Sequence, residues 1–123
     1  IRQSGQLERA HIDAALAAAA LMGMNNVWYP FVEMAGDETL KTQRAELQMN
    51  AYANHGGVDR RSFEVYALAA SIVGKCEFCI RSHARQLREH GLGAVELRDV
   101  GRIAAVMVAT AQVLAAKRAA IAA

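Results

Sequence analysis

Two cysteines, Cys76 and Cys79, stand three residues apart, and His83 follows four residues after the second. On an α-helix, residues three and four apart are neighbours, so these spacings bring all three side chains onto one face. That grouping suits thiol chemistry. A thiol is a good nucleophile only as the thiolate, so a nearby base and a positive field both matter. His83, one turn beyond Cys79, can accept the proton. Lys75 and Arg81 supply positive charge, and a helix starting near Cys76 adds its unpaired N–H groups and the positive end of its dipole.

The same residues admit other readings. Two cysteines this close cannot staple distant parts of a chain, and such a pair points either to redox work or to a metal. Cys76, Cys79, His83 and Glu64 could together offer zinc four donors, although the usual second pair of closely spaced Cys or His is missing. Cys76 and Cys79 also fit two small buried core residues with no chemistry. Glu64 precedes Cys76 by twelve residues and, in one straight helix, would lie about 18 Å from it along the axis. A break at Gly74-Lys75 would let the helix bearing Glu64 fold back, making it the carboxylate of a carboxylate–His–thiol relay. Spacing alone does not separate Glu64 from the other acidic residues, for which a solvated first-turn position is the plain expectation.

The elements that must position this trio read as helices. The chain has 123 residues and a mass of 13.3 kDa, of which 54% is hydrophobic. That is one domain's worth of chain with enough apolar material for a core. Alanine is abundant and there is 1 proline, so long stretches run without a breaker. The fold class expected is all-α, with about five helices. Segment one spans about Leu7 to Leu21, with Ile12, Ala15, Leu16 and Ala19 as its apolar side and Gly23, Asn25 and Asn26 as its stop. The stretch from Asn26 to Gly36 reads as a turn anchored by Trp28, Tyr29 and Phe31. Segment two spans about Glu38 to Ala53, with Leu40, Leu47 and Tyr52 inward, and ends at Asn54, His55, Gly56 and Gly57. Asp59 caps segment three, about Arg60 to Val73, whose Phe63, Tyr66, Ala70 and Val73 share a face. Segment four, about Cys76 to His90, carries the trio, with Ile80 and Leu87 turned to the core. Segment five, about Ala94 to Ala120, bears a stripe from Val100 through Ile103, Ala104, Met107, Val108 and Ala111 to Leu114, expected to be core or core plus an oligomer interface. His11, His55 and His90 are expected at the surface or at caps, and Arg81, Arg85 and Arg88 on a solvated face.

Charge narrows the function classes. A net charge of +2 with 21% charged residues leaves no basic footprint for nucleic acid and no polybasic membrane patch. The uncharged run from Ala14 to Phe31 makes a poor membrane span, since Asn25, Asn26 and Pro30 interrupt it. No signal pattern precedes Gln6, so a cytoplasmic protein is expected, and the chain opens on Ile1, as a fragment or processed product would.

The pattern Glu64…Cys76-Glu77-Phe78-Cys79-Ile80-Arg81-Ser82-His83 resembles the active-site signature of the alkyl hydroperoxidase D (AhpD) family. The run from Leu21 to Tyr29 and the alanine-rich tail through Val113 and Leu114 are similar to it as well, so the resemblance covers nearly the whole chain. It implies an all-α protein, assembled as a homotrimer, whose longer members would extend this chain at its N-terminus. It implies reduction of organic hydroperoxides in support of a partner peroxiredoxin, with electrons from dihydrolipoamide on a lipoyl-bearing acyltransferase and no bound metal, flavin or haem. By position, Cys79 would attack the peroxide and become the sulfenic acid. Cys76 would donate a proton and then close the Cys76–Cys79 disulfide, while His83 and Glu64 relay the proton. This order is chemically sound: a nearby thiol condenses with a sulfenic acid before over-oxidation, and an external dithiol reopens the disulfide by exchange. One position departs from the family pattern. Phe78 stands where members often carry a histidine, which bears on thiolate formation or on the partner surface. Two other functions compete with this one: a zinc-binding or assembly-only helical module, and a carboxymuconolactone decarboxylase relative that uses the same scaffold without the thiols.

Overall fold

The computed structural model describes residues 8–48 and 57–123. Among them lie five helices and no strand: α1 (Arg9–Ala35), α2 (Glu38–Lys41), α3 (Arg60–Gly74), α4 (Glu77–Glu89) and α5 (Ala94–Ala122). The expectations for Leu7, Tyr52, Ala53, Asn54, His55 and Gly56 lie outside the described residues.

The first helix differs most from its sequence reading. It does not stop at Gly23-Asn25-Asn26 but runs on through Pro30 to Ala35, so Trp28, Tyr29 and Phe31 sit on a helix rather than in a turn. The two asparagines turn inward instead of breaking it. Asn25 is buried, and Asn26 Nδ2 donates to the Ala70 carbonyl of α3 at 3.1 Å. The stop is Gly36, whose φ of 64° gives the left-handed cap that glycine adopts without a steric cost. The inward face is also rotated. Ala14, Ala18, Leu21, Met22 and Asn25 are buried, whereas Leu16, expected inside, is exposed. Alanines surround this helix on every side, so the apolar pattern does not mark one face. The face chosen is the one where Ala14 and Ala18 let Phe63 and Ala67 of α3 approach closely.

The second helix is shorter than expected. Asp37 caps it by accepting from the Thr39 and Leu40 N–H groups, and it ends after Lys41. None of its residues is buried, and Leu47 is exposed. Residues 42–48 are not helical, and the rest of the expected segment lies outside the described residues.

The third helix is the hub. Asp59 caps it as expected, accepting from Ser62 N–H at 2.7 Å. It packs on α1 through Phe63 and Ala67, and on α4 through Leu68, which meets Leu87 and Leu92. Leu87 is fully buried, a burial that contributes on the order of 1.5–3 kcal/mol. Val73, expected on the same face as Phe63, is exposed. The helix closes on Lys75, in the left-handed region, with Lys75 N–H bonded to the Ile72 carbonyl and Cys76 N–H to the Ser71 carbonyl. The reversal expected at Gly74-Lys75 is therefore present. Gly74 is needed there because a Cβ would run into the Asn26 amide of α1.

On the fifth helix the expected core stripe stands in the open. Only Ala104 is buried, while Ile103 is 65% exposed and Met107 and Leu114 are more than half exposed. Nothing else in the described chain covers this face. By length and composition alone α5, rather than the run through α1, is apolar enough to cross a membrane.

Candidate active site

The reversal between α3 and α4 puts the chemistry in one place. Cys76 is the residue that caps α4: its Sγ accepts the Cys79 N–H at 3.2 Å. The two sulfurs are joined as a disulfide across a Cα–Cα separation of 5.3 Å. One helical turn brings two cysteines this near, and the separation falls inside the roughly 4.4–6.8 Å that disulfides span. Both sulfurs are covered, Cys76 wholly and Cys79 to all but 3%. Among the described residues no three His, Cys, Asp or Glu side chains converge as a metal set.

His83 lies one turn further along α4 and is also buried. Its Nδ1 is 2.6 Å from Glu64 Oε2 on α3, and its Nε2 is 3.2 Å from Met22 Sδ on α1. A thioether sulfur only accepts, so this second contact is a hydrogen bond when Nε2 carries the proton. The 2.6 Å contact at the opposite nitrogen is then a hydrogen bond only with a second proton, carried on Nδ1 or on the Glu64 carboxyl. Glu64 is 1% exposed, and a buried carboxylate is tolerable only when paired. It has two partners: His83, and Arg60, whose Nε reaches Glu64 Oε1 at 3.8 Å. Arg60 is itself tied to α4 by a 2.7 Å bond to Gln86 Oε1.

Two separate contacts hold the four residues singled out from sequence: the Cys76–Cys79 disulfide at the start of α4, and the His83–Glu64 pair between α4 and α3, with both ring nitrogens of His83 directed to Glu64 and Met22 rather than to a sulfur. The solvated position expected of an acidic residue such as Glu64 is not what it occupies. Charge around the pair is arranged less simply. Lys75 is exposed beside Cys76, but Arg81 is in an ion pair with Glu77 at 2.5 Å, which reduces the field it offers the thiols. Phe78, between the cysteines, is half exposed and stacks on Tyr29 with ring centroids 4.4 Å apart.

Sequence reasoning passed over three residues here. Met22 touches the imidazole, Asn25 approaches Met22 Sδ at 3.9 Å, and Arg60 pairs with the carboxylate. The signal for the first two was the polar pair Asn25-Asn26 inside an otherwise apolar run, which marks an inward-facing polar contact as readily as a helix stop. Outside the site, His11 is not a plain surface residue: its Nδ1 lies 2.8 Å from the Tyr66 hydroxyl. Burial first, and the Asp59 charge second, hold that hydroxyl's pKa above the usual tyrosine value.

Residues 38–122 match the model of the carboxymuconolactone decarboxylase family. Curated relatives described as alkyl hydroperoxide reductase AhpD are similar over most of the chain. The protein of Maricaulis maris is 46% identical over 106 residues, 86% of this chain and 61% of its own length. That of Rhodospirillum centenum is 43% identical over 113 residues, 92% of this chain and 60% of its own. That of Hyphomonas neptunium is 41% identical over 115 residues, 94% of this chain and 63% of its own. The chain therefore spans about three-fifths of the length of the curated relatives it matches.

Proposed function

The chain belongs to the carboxymuconolactone decarboxylase family, and we propose that it works as a thiol-dependent reductase of organic hydroperoxides, cycling Cys76 and Cys79 between dithiol and disulfide. The observation that carries this reading is the disulfide at the head of α4 with a buried Glu64–His83 pair behind it. A zinc module does not need a bonded cysteine pair, and a decarboxylase on this scaffold does not need the cysteines.

The cycle balances as follows. Cys79 thiolate attacks the outer oxygen of the hydroperoxide, the O–O bond breaks, and the alkoxide leaves to be protonated as the alcohol. Cys79 is now a sulfenic acid. Cys76 attacks its sulfur, water departs, and the disulfide forms. An external dithiol, for which dihydrolipoamide is our choice, attacks one sulfur and takes up the oxidation. The cap contact argues for which sulfur that is. Cys76 Sγ already accepts an N–H at the positive end of α4, so it is the better leaving thiolate, and Cys79, the less covered sulfur, is the one attacked. His83 and Glu64 carry the proton from Cys79 to the departing alkoxide. Met22 holds the imidazole when no thiol is present, through a weak acceptor that a thiolate easily outbids.

The assembly follows the exposed face of α5. A face bearing Ile103, Met107 and Leu114 exposed is a contact surface awaiting a partner, and we assign it to a homotrimer of this chain. The cytoplasm is the compartment in which dithiols keep such a pair turning over, and a partner peroxiredoxin and a lipoyl-bearing acyltransferase complete the proposed electron path. The experiment for the whole reading is hydroperoxide consumption with dithiothreitol as reductant, expected in the unaltered chain and absent in Cys79→Ser. Sedimentation without detergent is expected to give three chains per particle.

A further inference from the structure

A cavity of about 750 Å³ opens where α1 passes the start of α4. Its apolar wall is made by Trp28, Tyr29 and Phe78, and its charged groups are the cations Lys41, Lys75 and Arg81 and the carboxylates Glu33 and Glu77. The volume lies within the roughly 300–1,000 Å³ of small-molecule sites, and an apolar lining with a few polar groups is their usual make-up. Lys75, Glu77 and Phe78 line it, whereas Cys76 and Cys79, which alternate with them in the chain, are buried and do not, so the cavity lies against the outer side of the turn that carries the redox pair.

The cations are not equivalent. Lys41 is bonded to Glu38 at 2.9 Å and faces Glu33 at 3.9 Å, and Arg81 is paired with Glu77. Lys75 has no carboxylate partner among the described residues. It also occupies the left-handed region, with φ at 55°, where glycine or asparagine is the favoured residue and a lysine side chain carries a steric cost. Lys75 is exposed and lines both this cavity and a second one against α5, and an unpaired ammonium group within reach of an aromatic wall is complementary to an amphipathic anion.

We infer that this cavity receives the organic part of the substrate and that Lys75 selects hydroperoxides bearing a carboxylate, the class formed when unsaturated fatty acids are peroxidised. The apolar chain lies against Trp28, Tyr29 and Phe78, and the carboxylate meets Lys75. The substrate assignment rests on the peroxide-reducing function proposed above, whereas binding of the anion does not.

Trp28 is the chain's 1 tryptophan and lies in the cavity wall, so its fluorescence reports occupancy without turnover. Titration with dodecanoate and with methyl dodecanoate is expected to show the acid binding about tenfold tighter or more, the scale of one charge-assisted contact. Lys75→Asn, which suits the same backbone conformation, is expected to erase that preference, and Lys75→Arg to keep it. The ratio of kcat/KM for linoleic acid hydroperoxide over its methyl ester is expected to follow the same order, and being a ratio within one variant it cancels any effect on the thiolate. Equal binding of acid and ester, or a preference that survives Lys75→Asn, overturns the proposal. Dodecanoate preference without consumption of any hydroperoxide, cumene hydroperoxide included, overturns the peroxidase reading and the substrate assignment while upholding the anion site.

Discussion

Glu64 Oε2 and His83 Nδ1 meet at 2.6 Å inside the protein, although 19 residues separate them in sequence. The contact exists because the chain reverses at Lys75, which lays α4 back along α3. It fixes a carboxylate behind the ring of a histidine that stands one turn beyond Cys79.

Replacing the carboxyl group while keeping the shape tests that pair. Glu64→Gln is expected to slow hydroperoxide turnover by about 10²-fold or more and to change its pH–rate profile. An unchanged profile would mean that Glu64 is only part of the packing.

Met22 separates a positioning role from a packing role. Met22→Leu keeps the volume, so its cost to stability in urea unfolding is expected to be below about 1.5 kcal/mol. It removes the sulfur that accepts from His83 Nε2, and a shifted pH–rate profile is expected with little change in stability. Met22→Ala is expected to cost about 2–5 kcal/mol, since Met22 is almost fully buried. A normal pH profile in Met22→Leu would reduce Met22 to a core residue.

The parts of the structure that were legible in sequence were those with strong local signals. Asp59 before an amphipathic run announces α3, and the C-x-x-C spacing announces a helix start with its sulfurs together. The fold-back that brings Glu64 to His83 was readable only as permitted by Gly74-Lys75, because a reversal fixes a contact only once the helices' facing surfaces are known. Met22 was hidden for the same reason. Its role depends on the rotation of α1, and a helix with alanine on every side does not declare its rotation. The exposure of Ile103, Met107 and Leu114 was ambiguous from the start, because a core stripe and an assembly face have the same pattern.

The Gly74–Asn26 approach predicts a coupling between α1 and α3. Gly74→Ala pushes a methyl into the Asn26 amide and is expected to destabilise the protein by about 1–3 kcal/mol in thermal or urea unfolding. In the double variant with Asn26→Ala, part of that loss is expected to return, since the obstacle has gone. Strict additivity of the two effects would contradict the contact.

Asp59 predicts a pH dependence. Hydrogen bonding from the Ser62 N–H holds its carboxyl below the usual aspartate value. A depressed folded-state value means that the cap's contribution is complete above the ordinary aspartate range and is lost as pH falls through the lowered value. Asp59→Ala is therefore expected to lower Tm near neutral pH, with the difference from the unaltered chain shrinking in acid. A difference that stays constant with pH would show that ionisation of the cap plays no part.

The most direct measurement is mass analysis of the reduced protein after one equivalent of an alkyl hydroperoxide. The account predicts the loss of two hydrogens, about 2 Da, located in a bridged peptide holding Cys76 and Cys79, with both free thiols gone. Recovery of both thiols with the peroxide unconsumed would contradict it.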